Sequence, residues 1–297
     1  MPAPAAEIEV DAGLVRALLR EQHPDLAVLP LSRGPEGWDN VQWRLGDDFV
    51  VRLPRRALAS RTLQSEIRWL PRLPPLPLSI PRPIRVGEPG CGYPWPRLVA
   101  PWLPGSSAAS VMGGTWDATS SAEDLGRFLG ALHRAAPAGL PVNPFRGVAL
   151  GDRAGRFDEL VVGLGIGPGH PVRSVWRRAL SAAAWDGPPM WVHGDLHPHN
   201  LLVDRGRLSA VIDFGDLGAG DPAVDLASGW LLLEPADRER LWNAYAAAAG
   251  HAVDDGLRDR ARGWAVLFVL TLQTHVGEDP GWAGVIAHAW RQLDTVR

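Results

Sequence analysis

The chain has 297 residues, of which 46% are hydrophobic and 21% charged, as is usual for a soluble globular protein with a large core. Its net charge of -3 argues against nucleic acid as the main partner, because phosphate-rich polymers select basic surfaces. Cys91 is the only cysteine, so an internal disulfide is excluded and a reducing cytoplasm fits. The first residues do not resemble a signal peptide, and the most apolar late stretch, residues 264–272, is too short to span a bilayer. We therefore expect a cytoplasmic protein without a membrane partner, either a monomer or a dimer.

The basic residues are all of one type and are unevenly distributed. All 30 are arginine, so any role that usually falls to lysine must fall to another residue. Residues 1–100 carry 13 arginines and 11 acids, whereas residues 101–297 carry 17 arginines and 22 acids. A mildly basic first part suits phosphate groups and an acidic second part suits a cationic or neutral small molecule. Surface solvation alone also produces asymmetries of this size.

The first hundred residues predict a β-rich region with two helices. A helix is predicted over residues 12–22, with Asp11 as its N-cap. Strands are predicted at residues 26–31, 41–45, 49–53, 84–87 and 97–102, and Gly46-Asp47-Asp48 predicts a hairpin between the second and third of them. A second helix is predicted over residues 61–73, before a proline-rich segment.

After a hinge at residues 104–107 the pattern becomes mainly helical. Helices are predicted over residues 121–134, with a serine cap, over residues 171–184, and almost continuously from Pro222 on. Short strands and loops are predicted between the last two. The sequence thus indicates an α+β fold with a β-rich N-terminal lobe, residues 1–103, and a mainly helical C-terminal lobe, residues 104–297.

One run of residues carries most of the chemistry: Trp191-Val-His-Gly-Asp-Leu-His-Pro-His-Asn-Leu-Leu-Val-Asp204, followed by Val211-Ile-Asp-Phe-Gly215. It spaces Asp195, Asn200 and Asp213 by five and thirteen residues, each beside short apolar segments. A carboxylate on a braced loop can accept or orient the proton of a hydroxyl group. An amide oxygen and a second carboxylate suit Mg²⁺. Together they indicate phosphoryl transfer, with Asp195 as the catalytic base and Asn200 and Asp213 as metal ligands.

This run resembles the protein-kinase pattern H-R-D-L-x-x-x-N followed by D-F-G. It is more similar to the antibiotic kinases of the aminoglycoside phosphotransferase family, whose loop reads H-G-D-[LI]-H-x-x-N and whose metal segment reads I-D-[FW]-[GE]. Gly220-Asp-Pro222, Asp225-Leu-Ala227 and Gly37-Trp-Asp-Asn also look like parts of that family's pattern. The resemblance implies a protein-kinase-like two-lobe fold, ATP or GTP as donor, Mg²⁺, and a hydroxyl acceptor on an aminoglycoside or another antibiotic.

The resemblance also implies nucleotide-binding residues in the first lobe. Arg52 stands at the strand end where kinases place a phosphate-binding lysine, and Glu66 on the next helix stands where an acid orients that cation. Arginine binds in a planar fork and is not equivalent to lysine. The alternative is that both are solvated surface charges.

Further nucleotide contacts are implied by position alone. Ser32, Gly34 and Gly37 fall between the first two strands, where kinases cover the phosphates, although an ordinary hairpin turn fits as well. Trp102 lies at the kinase hinge, where it can stack on the base or pack in the core. His197 occupies a position where protein kinases often carry lysine, which implies a contact with the γ-phosphate.

Other functions can be read from the same residues. His193, Asp195, His197 and His199 suggest a zinc site, but only a continuous strand would point them one way and Pro198 interrupts one. A protein kinase is disfavoured because little room follows Asp213 for an activation loop. A kinase of a sugar, choline or an amino acid shares the same loop and stays open. So does a module that binds nucleotide without turnover, although the intact acid and amide set argues against it.

Overall fold

The computed structural model describes residues 5–34, 37–114, 116–250 and 253–294. It divides the chain into a first unit, Met1–Leu73 with Ile80–Pro104, and a second unit, Pro74–Ser79 with Gly105–Arg297. A β-rich first unit and a mainly helical second unit agree with the expected α+β organisation. We predict that residues 1–103 form a nucleotide-binding lobe and that residues 104–297 form a catalytic and substrate-binding lobe, and these roles stay predictions.

The first unit is built on a five-stranded antiparallel sheet in the order β1-β2-β3-β5-β4. Its elements are α1 (Ala12–Gln22), β1 (Leu31–Arg33), β2 (Asn40–Leu45), β3 (Phe49–Pro54), α2 (Ala57–Trp69), β4 (Arg85–Gly87) and β5 (Arg97–Pro101). Side chains of β3 alternate between two apolar clusters, as the period of two requires. Val51 packs in the cluster that contains Leu18 of α1, whereas Val50 packs with Leu63 of α2. Arg52 shares the face of Val50 and therefore reaches α2.

The predicted helix over residues 12–22 is confirmed, as is the hairpin that joins the strands at residues 41–45 and 49–53. The strand predicted at residues 26–31 is wrong. Asp11 caps α1 by accepting a hydrogen bond from the backbone N–H of Leu14 at 2.7 Å. Residues 26–29 form turns, and the strand covers only Leu31–Arg33. The backbone N–H groups bond within these turns, as when that of Ala27 donates to the carbonyl of His23 at 3.1 Å. Arg16 stabilises the turns by donating from its guanidinium to the carbonyls of Ala27 at 2.5 Å and Leu29 at 2.7 Å.

The second unit contains two small antiparallel sheets among helices. Its elements are β6 (Ser106–Ser107), α3 (Ala108–Val111), α4 (Ala118–Leu132), α5 (Ala154–Gly163), α6 (Pro171–Ser181), β7 (Met190–Val192), β8 (Leu201–Asp204), β9 (Arg207–Val211), β10 (Gly218–Gly220), α7 (Ala223–Leu226), α8 (Ser228–Leu232), α9 (Pro235–Ala249), α10 (Asp255–Val276) and α11 (Pro280–Asp294). Residues 264–270 of α10 are all buried, so this helix forms the centre of the core. No helix in the described part of the chain is long and apolar enough to cross a membrane.

Helix boundaries in this unit differ from prediction where a polar side chain takes another role. The expected serine cap of α4 is wrong: Asp117 caps the helix by accepting from the backbone N–H of Ser120 at 2.9 Å. Ser121 is buried instead, and its hydroxyl accepts a hydrogen bond from the backbone N–H of Leu208 in β9 at 3.0 Å. In the first unit, the second helix begins at Ala57, four residues earlier than expected.

Candidate active site

The β8–β9 hairpin brings two of the predicted site residues together. Leu201 pairs with Val211, and just beyond that pair the backbone N–H of Ile212 donates to the carbonyl of Asn200 at 2.9 Å. Asn200 and Asp213 therefore flank the same end of the hairpin, although thirteen residues separate them in the chain. Asn200 also donates its amide N–H to the backbone carbonyl of Asp195 at 2.9 Å. Asp195 and Asn200 are thus joined directly by a hydrogen bond, and Asp213 follows Ile212 at the same end of the hairpin.

Asp225 anchors the start of the catalytic loop. Its fully buried carboxylate accepts from the backbone N–H of His193 at 2.7 Å and from that of Gly194 at 2.8 Å. The Nε2 atom of His133 lies 3.1 Å from the same carboxylate. Buried backbone donors need partners, and here a single carboxylate accepts from two of these donors. Asp225 therefore holds the start of the catalytic loop in place.

His193 braces the loop from inside. Its Nδ1 accepts from the backbone N–H of Asp195 at 3.3 Å, so Nε2 carries the proton and donates to the carbonyl of Ile212 at 3.0 Å. Both ring nitrogens are therefore engaged, which leaves none for a zinc ion. Gly194 has φ +85°, and a Cβ there would lie 2.6 Å from the carbonyl oxygen of Asp216, so glycine is required at this position.

The Asp195 carboxylate is 30% exposed and lies between two basic side chains. Nη2 of Arg146 is 3.3 Å from Oδ1, and Nε2 of His197 is 3.5 Å from Oδ2. Burial by itself raises the pKa of the Asp195 carboxyl, but the charge and hydrogen bond of His197 and the charge of Arg146 outweigh burial and hold that pKa well below its ordinary value. The carboxylate is thus ionised and able to accept a hydrogen bond from a hydroxyl group.

Arg146 was not foreseen from the sequence. It lies 49 residues before Asp195, and its guanidinium stacks on the Phe268 ring, 4.1 Å from the ring centre. The Asn143-Pro144 pair before it is a turn signal, but no local pattern connects that turn with the catalytic loop. Only the tertiary fold brings Arg146 to the site.

Asn200 and Asp213 present the oxygen atoms that a magnesium site requires. The amide nitrogen of Asn200 is held inside the loop, so the oxygen is the atom that remains for a ligand. Asp213 is exposed and has φ +62°, an uncommon conformation that aspartate tolerates better than most residues. Among the described residues, no group of three or more His, Cys, Asp or Glu side chains is arranged to hold a metal ion. Two protein oxygens leave the remaining positions of a magnesium ion to other oxygen ligands.

In the first unit, Arg52 and Glu66 form the expected pair. Nη1 of Arg52 lies 2.5 Å from Oε2 of Glu66, and Nη2 lies 3.0 Å from Oε1. The two side chains are only 9% and 0% exposed, so the alternative of solvated surface charges is wrong. Their role toward a nucleotide stays a prediction.

The other predicted nucleotide contacts of the first unit lie on or beside its sheet. Ser32 is exposed on β1. A Cβ at Gly34 would lie 3.0 Å from the carbonyl oxygen of Gln42, and one at Gly37 would lie 2.8 Å from that of Asn40, so both glycines permit close backbone approach. Trp102 is partly buried against the cluster around Val50, Leu63, Leu98 and Ala100. Nucleotide binding by Ser32, Gly34, Gly37 and Trp102 stays a prediction.

His197 lies in the second unit with the catalytic set. Its Nε2 faces Asp195 and is also 3.3 Å from the amide nitrogen of Asn200, and its ring contacts Trp282 at a centroid distance of 4.9 Å. The predicted contact with a γ-phosphate would therefore be made by a residue that also touches the base.

Comparison with known proteins identifies the family of the chain. The model of the phosphotransferase enzyme family matches residues 31–264. An aminoglycoside 3'-phosphotransferase of Escherichia coli is 29% identical over 187 residues, which are 60% of this chain and 66% of that relative, just under two thirds of its length.

Solved structures show the same fold. A GDP complex of aminoglycoside 2'-phosphotransferase-IIIa superposes with a TM-score of 0.66 at 21% identity, over 96% of this chain and 97% of the other. A macrolide 2'-phosphotransferase from Brachybacterium faecium superposes with a TM-score of 0.63 at 24% identity, over 97% and 99%. The kinase-like α+β fold is thereby confirmed, and the family match over most of the chain places the protein in the phosphotransferase enzyme family.

Proposed function

We propose that the protein transfers the γ-phosphoryl group of ATP or GTP to a hydroxyl group of a small molecule. The observation that carries the proposal is the hydrogen bond that joins Asn200 to Asp195. A second bond, from the N–H of Ile212 to the carbonyl of Asn200, sets Asp213 at the same end of the hairpin. Phosphoryl transfer needs little covalent chemistry from the protein, so positioning and charge dominate catalysis. A preassembled base and metal-ligand set is what that reaction requires.

Asp195 acts as the base in this proposal. Its ionised carboxylate accepts a hydrogen bond from the acceptor hydroxyl and takes its proton as the oxygen bonds to the γ-phosphorus. The bond from that phosphorus to the bridging oxygen breaks, and the nucleoside diphosphate leaves with the electron pair. A positioned acid or base of this kind contributes about 10²–10⁴ in rate.

Asn200 and Asp213 would hold Mg²⁺ through an amide oxygen and a carboxylate oxygen, which are ligands of the type this ion prefers. When bound, the ion neutralises negative charge on the donor phosphates. Arg52, oriented by Glu66, would add a fixed cation for the phosphates of the donor. Ser32, Gly34, Gly37, Trp102 and His197 remain the other proposed nucleotide contacts.

The acceptor we favour is an aminoglycoside or another antibiotic, so that the activity would confer resistance or self-protection. The support is the likeness to aminoglycoside and macrolide phosphotransferases. A sugar, choline or a hydroxylated amino acid remains the alternative, because the catalytic loop acts on a hydroxyl group whatever molecule carries it. We also keep the expectation of a cytoplasmic enzyme, monomeric or dimeric, that binds no nucleic acid.

The test is nucleotide consumption by the purified chain with Mg²⁺ and either ATP or GTP. Candidate acceptors are kanamycin, gentamicin, erythromycin, a nucleoside antibiotic, choline, homoserine and simple sugars, and product mass spectra show which of them gains a phosphoryl group. The matched control is Asp195→Asn, which keeps the shape of the side chain and removes its charge. We expect that variant to bind nucleotide normally and to turn over about 10²–10⁴-fold more slowly.

Two outcomes would contradict the proposal in different ways. Nucleotide binding with no transfer to any acceptor and no hydrolysis would favour a module that only binds nucleotide. Transfer by Asp195→Asn within a few-fold of the parent rate would exclude Asp195 as the base, even if the chain proved to be a kinase.

A further inference from the structure

The carboxylate of Asp195 has a partner that lies outside the catalytic motif. Nη2 of Arg146 lies 3.3 Å from Oδ1 of Asp195. Nε2 of His197, which follows Asp195 by two residues in the catalytic loop, lies 3.5 Å from Oδ2. The two oxygens are therefore held from two directions by groups on separate parts of the chain. A carboxylate that is bound at both oxygens cannot rotate freely about its Cβ–Cγ bond.

Arg146 is itself held by two neighbours, Phe268 and Asn143. Its guanidinium lies over the ring of Phe268, in the buried part of α10, and its side chain is only 19% exposed. Its backbone N–H donates to the side-chain oxygen of Asn143 at 3.0 Å. The amide nitrogen of Asn143 in turn donates to Oδ1 of Asp216 at 2.6 Å. A planar guanidinium stacked on an aromatic ring keeps its orientation, which a lysine ammonium could not do equally well.

From this geometry we infer that Arg146 is a positioning residue for the base. It holds the Asp195 carboxylate in the orientation that receives the acceptor hydroxyl, and this role depends on the proposed phosphotransferase function. An ionised carboxylate has about four acceptor positions, so Arg146 and His197 leave room for a hydroxyl group. Misplacement of a reacting group by about 1 Å can cost 10²-fold in rate. Loss of the stacked guanidinium should therefore lower the rate of the chemical step and not the affinity for nucleotide.

The kinetic test uses Arg146→Ala and Arg146→Lys, with hydrolysis of ATP or GTP by water as the probe reaction. We expect Arg146→Ala to lower kcat about 10–100-fold with the nucleotide KM within a factor of about two. Arg146→Lys should recover only part of the loss. The matched control is Arg153→Ala. Arg153 follows Arg146 by seven residues, and its guanidinium lies 5.6 Å from the centre of the exposed Phe145 ring. Loss of this side chain should leave kcat nearly unchanged.

Chemical rescue separates positioning from a general structural effect. Truncation to alanine removes neither the Phe268 ring nor the Asp195 carboxylate, so added methylguanidinium should bind between them and restore kcat of Arg146→Ala in a saturable way. Urea has a similar planar shape but no charge, and it should restore nothing at the same concentration. Equal kcat in Arg146→Ala and the parent would overturn the inference, as would recovery with urea as large as with methylguanidinium.

A measurement independent of turnover distinguishes this inference from the proposed function. Unfolding equilibria of Arg146→Ala, Asp195→Ala and the double variant form a double-mutant cycle, in which contacting residues are not additive. If the two residues were independent, their effects on the unfolding constant would multiply. We expect the unfolding constant of the double variant to differ from that product at least about threefold. A double variant whose unfolding constant equals the product would show that Arg146 and Asp195 do not interact, even in an active enzyme. A coupled pair in a parent chain with neither hydrolysis nor transfer would overturn the proposed function and, with it, the catalytic role of Arg146.

Discussion

Arg52 of β3 and Glu66 of α2 form a two-pronged ion pair, with contacts of 2.5 and 3.0 Å, inside the first unit. A lysine could offer only one point of contact to the same carboxylate, whereas the arginine fork matches both oxygens. In a chain whose 30 basic residues are all arginine, this is the pair that we predict to stand where kinases usually place a lysine and its acid.

Removal of Glu66 tests how much the fold depends on that pair. Glu66→Ala leaves a buried guanidinium without its carboxylate, so we expect the free energy of unfolding to fall by about 3–5 kcal/mol. The measurement is chemical denaturation. The control is Glu123→Ala, because the pair of Glu123 with Arg127 is 37% and 47% exposed and should contribute less than about 1 kcal/mol. Equal losses in the two variants would contradict the prediction.

The anchor of the catalytic loop gives a second prediction. Asp225→Ala deprives the backbone N–H groups of His193 and Gly194 of their acceptor, and each unsatisfied buried donor costs about 1–3 kcal/mol. We expect denaturation to show a total loss of about 2–5 kcal/mol, with nucleotide turnover abolished. Asp204→Ala, a change at a half-exposed acid at the end of β8, should change stability by less than about 0.5 kcal/mol. An Asp225→Ala protein as stable as Asp204→Ala would show that the loop does not depend on this anchor.

The grouping of the proposed catalytic residues could be predicted from the sequence because their contacts are local. Asp195, Asn200 and Asp213 lie within nineteen residues on one loop and one hairpin, so their spacing along the chain already constrains their distance in space. Arg146 could not be predicted, because its contact with Asp195 depends on how a distant turn packs on Phe268.

The predictions of where elements begin and end were wrong for a similar reason. The strand expected at residues 26–31 satisfies the local apolar pattern, yet Arg16 of α1 occupies two of its carbonyls. Ser121 reads as a helix cap from its neighbours, but it is buried as an acceptor for β9 while Asp117 caps the helix. In both places a tertiary hydrogen bond from another element overrides a local preference.

The metal segment gives a third prediction, in which charge and backbone conformation can be separated. Asp213 has φ +62°, which asparagine adopts as readily as aspartate, so Asp213→Asn should change unfolding free energy by less than about 0.5 kcal/mol. Asp213→Ala should lose about 1 kcal/mol, because alanine is strained in that region. The Mg²⁺ concentration for half-maximal turnover should rise at least about tenfold in both variants, since even the partners of metal ligands contribute that much. Unchanged Mg²⁺ dependence in Asp213→Asn would remove this residue from the metal site.

The last prediction concerns His288, a buried ring on α11 at a distance from the catalytic loop along the chain. Burial is the main cause that lowers the pKa of His288 from its ordinary value of 6.5, and although the charge of Glu234 opposes it, the charges of Arg291 and Arg238 act in the same direction as burial. The ring is therefore kept neutral in the folded protein over a range of pH in which the unfolded chain binds a proton.

The sign of the pH effect follows from this difference. Below about pH 6.5 the unfolded state binds more protons at His288 than the folded state, so stability should fall as the pH is lowered through that value toward the folded pKa. We expect the loss of unfolding free energy between about pH 7.5 and about pH 5 to be smaller in His288→Gln than in the parent. Urea denaturation at several pH values provides the measurement, with His275→Gln as a control at an exposed position of α10. A pH dependence in His288→Gln as steep as that of the parent would show that protonation of this ring does not limit acid stability.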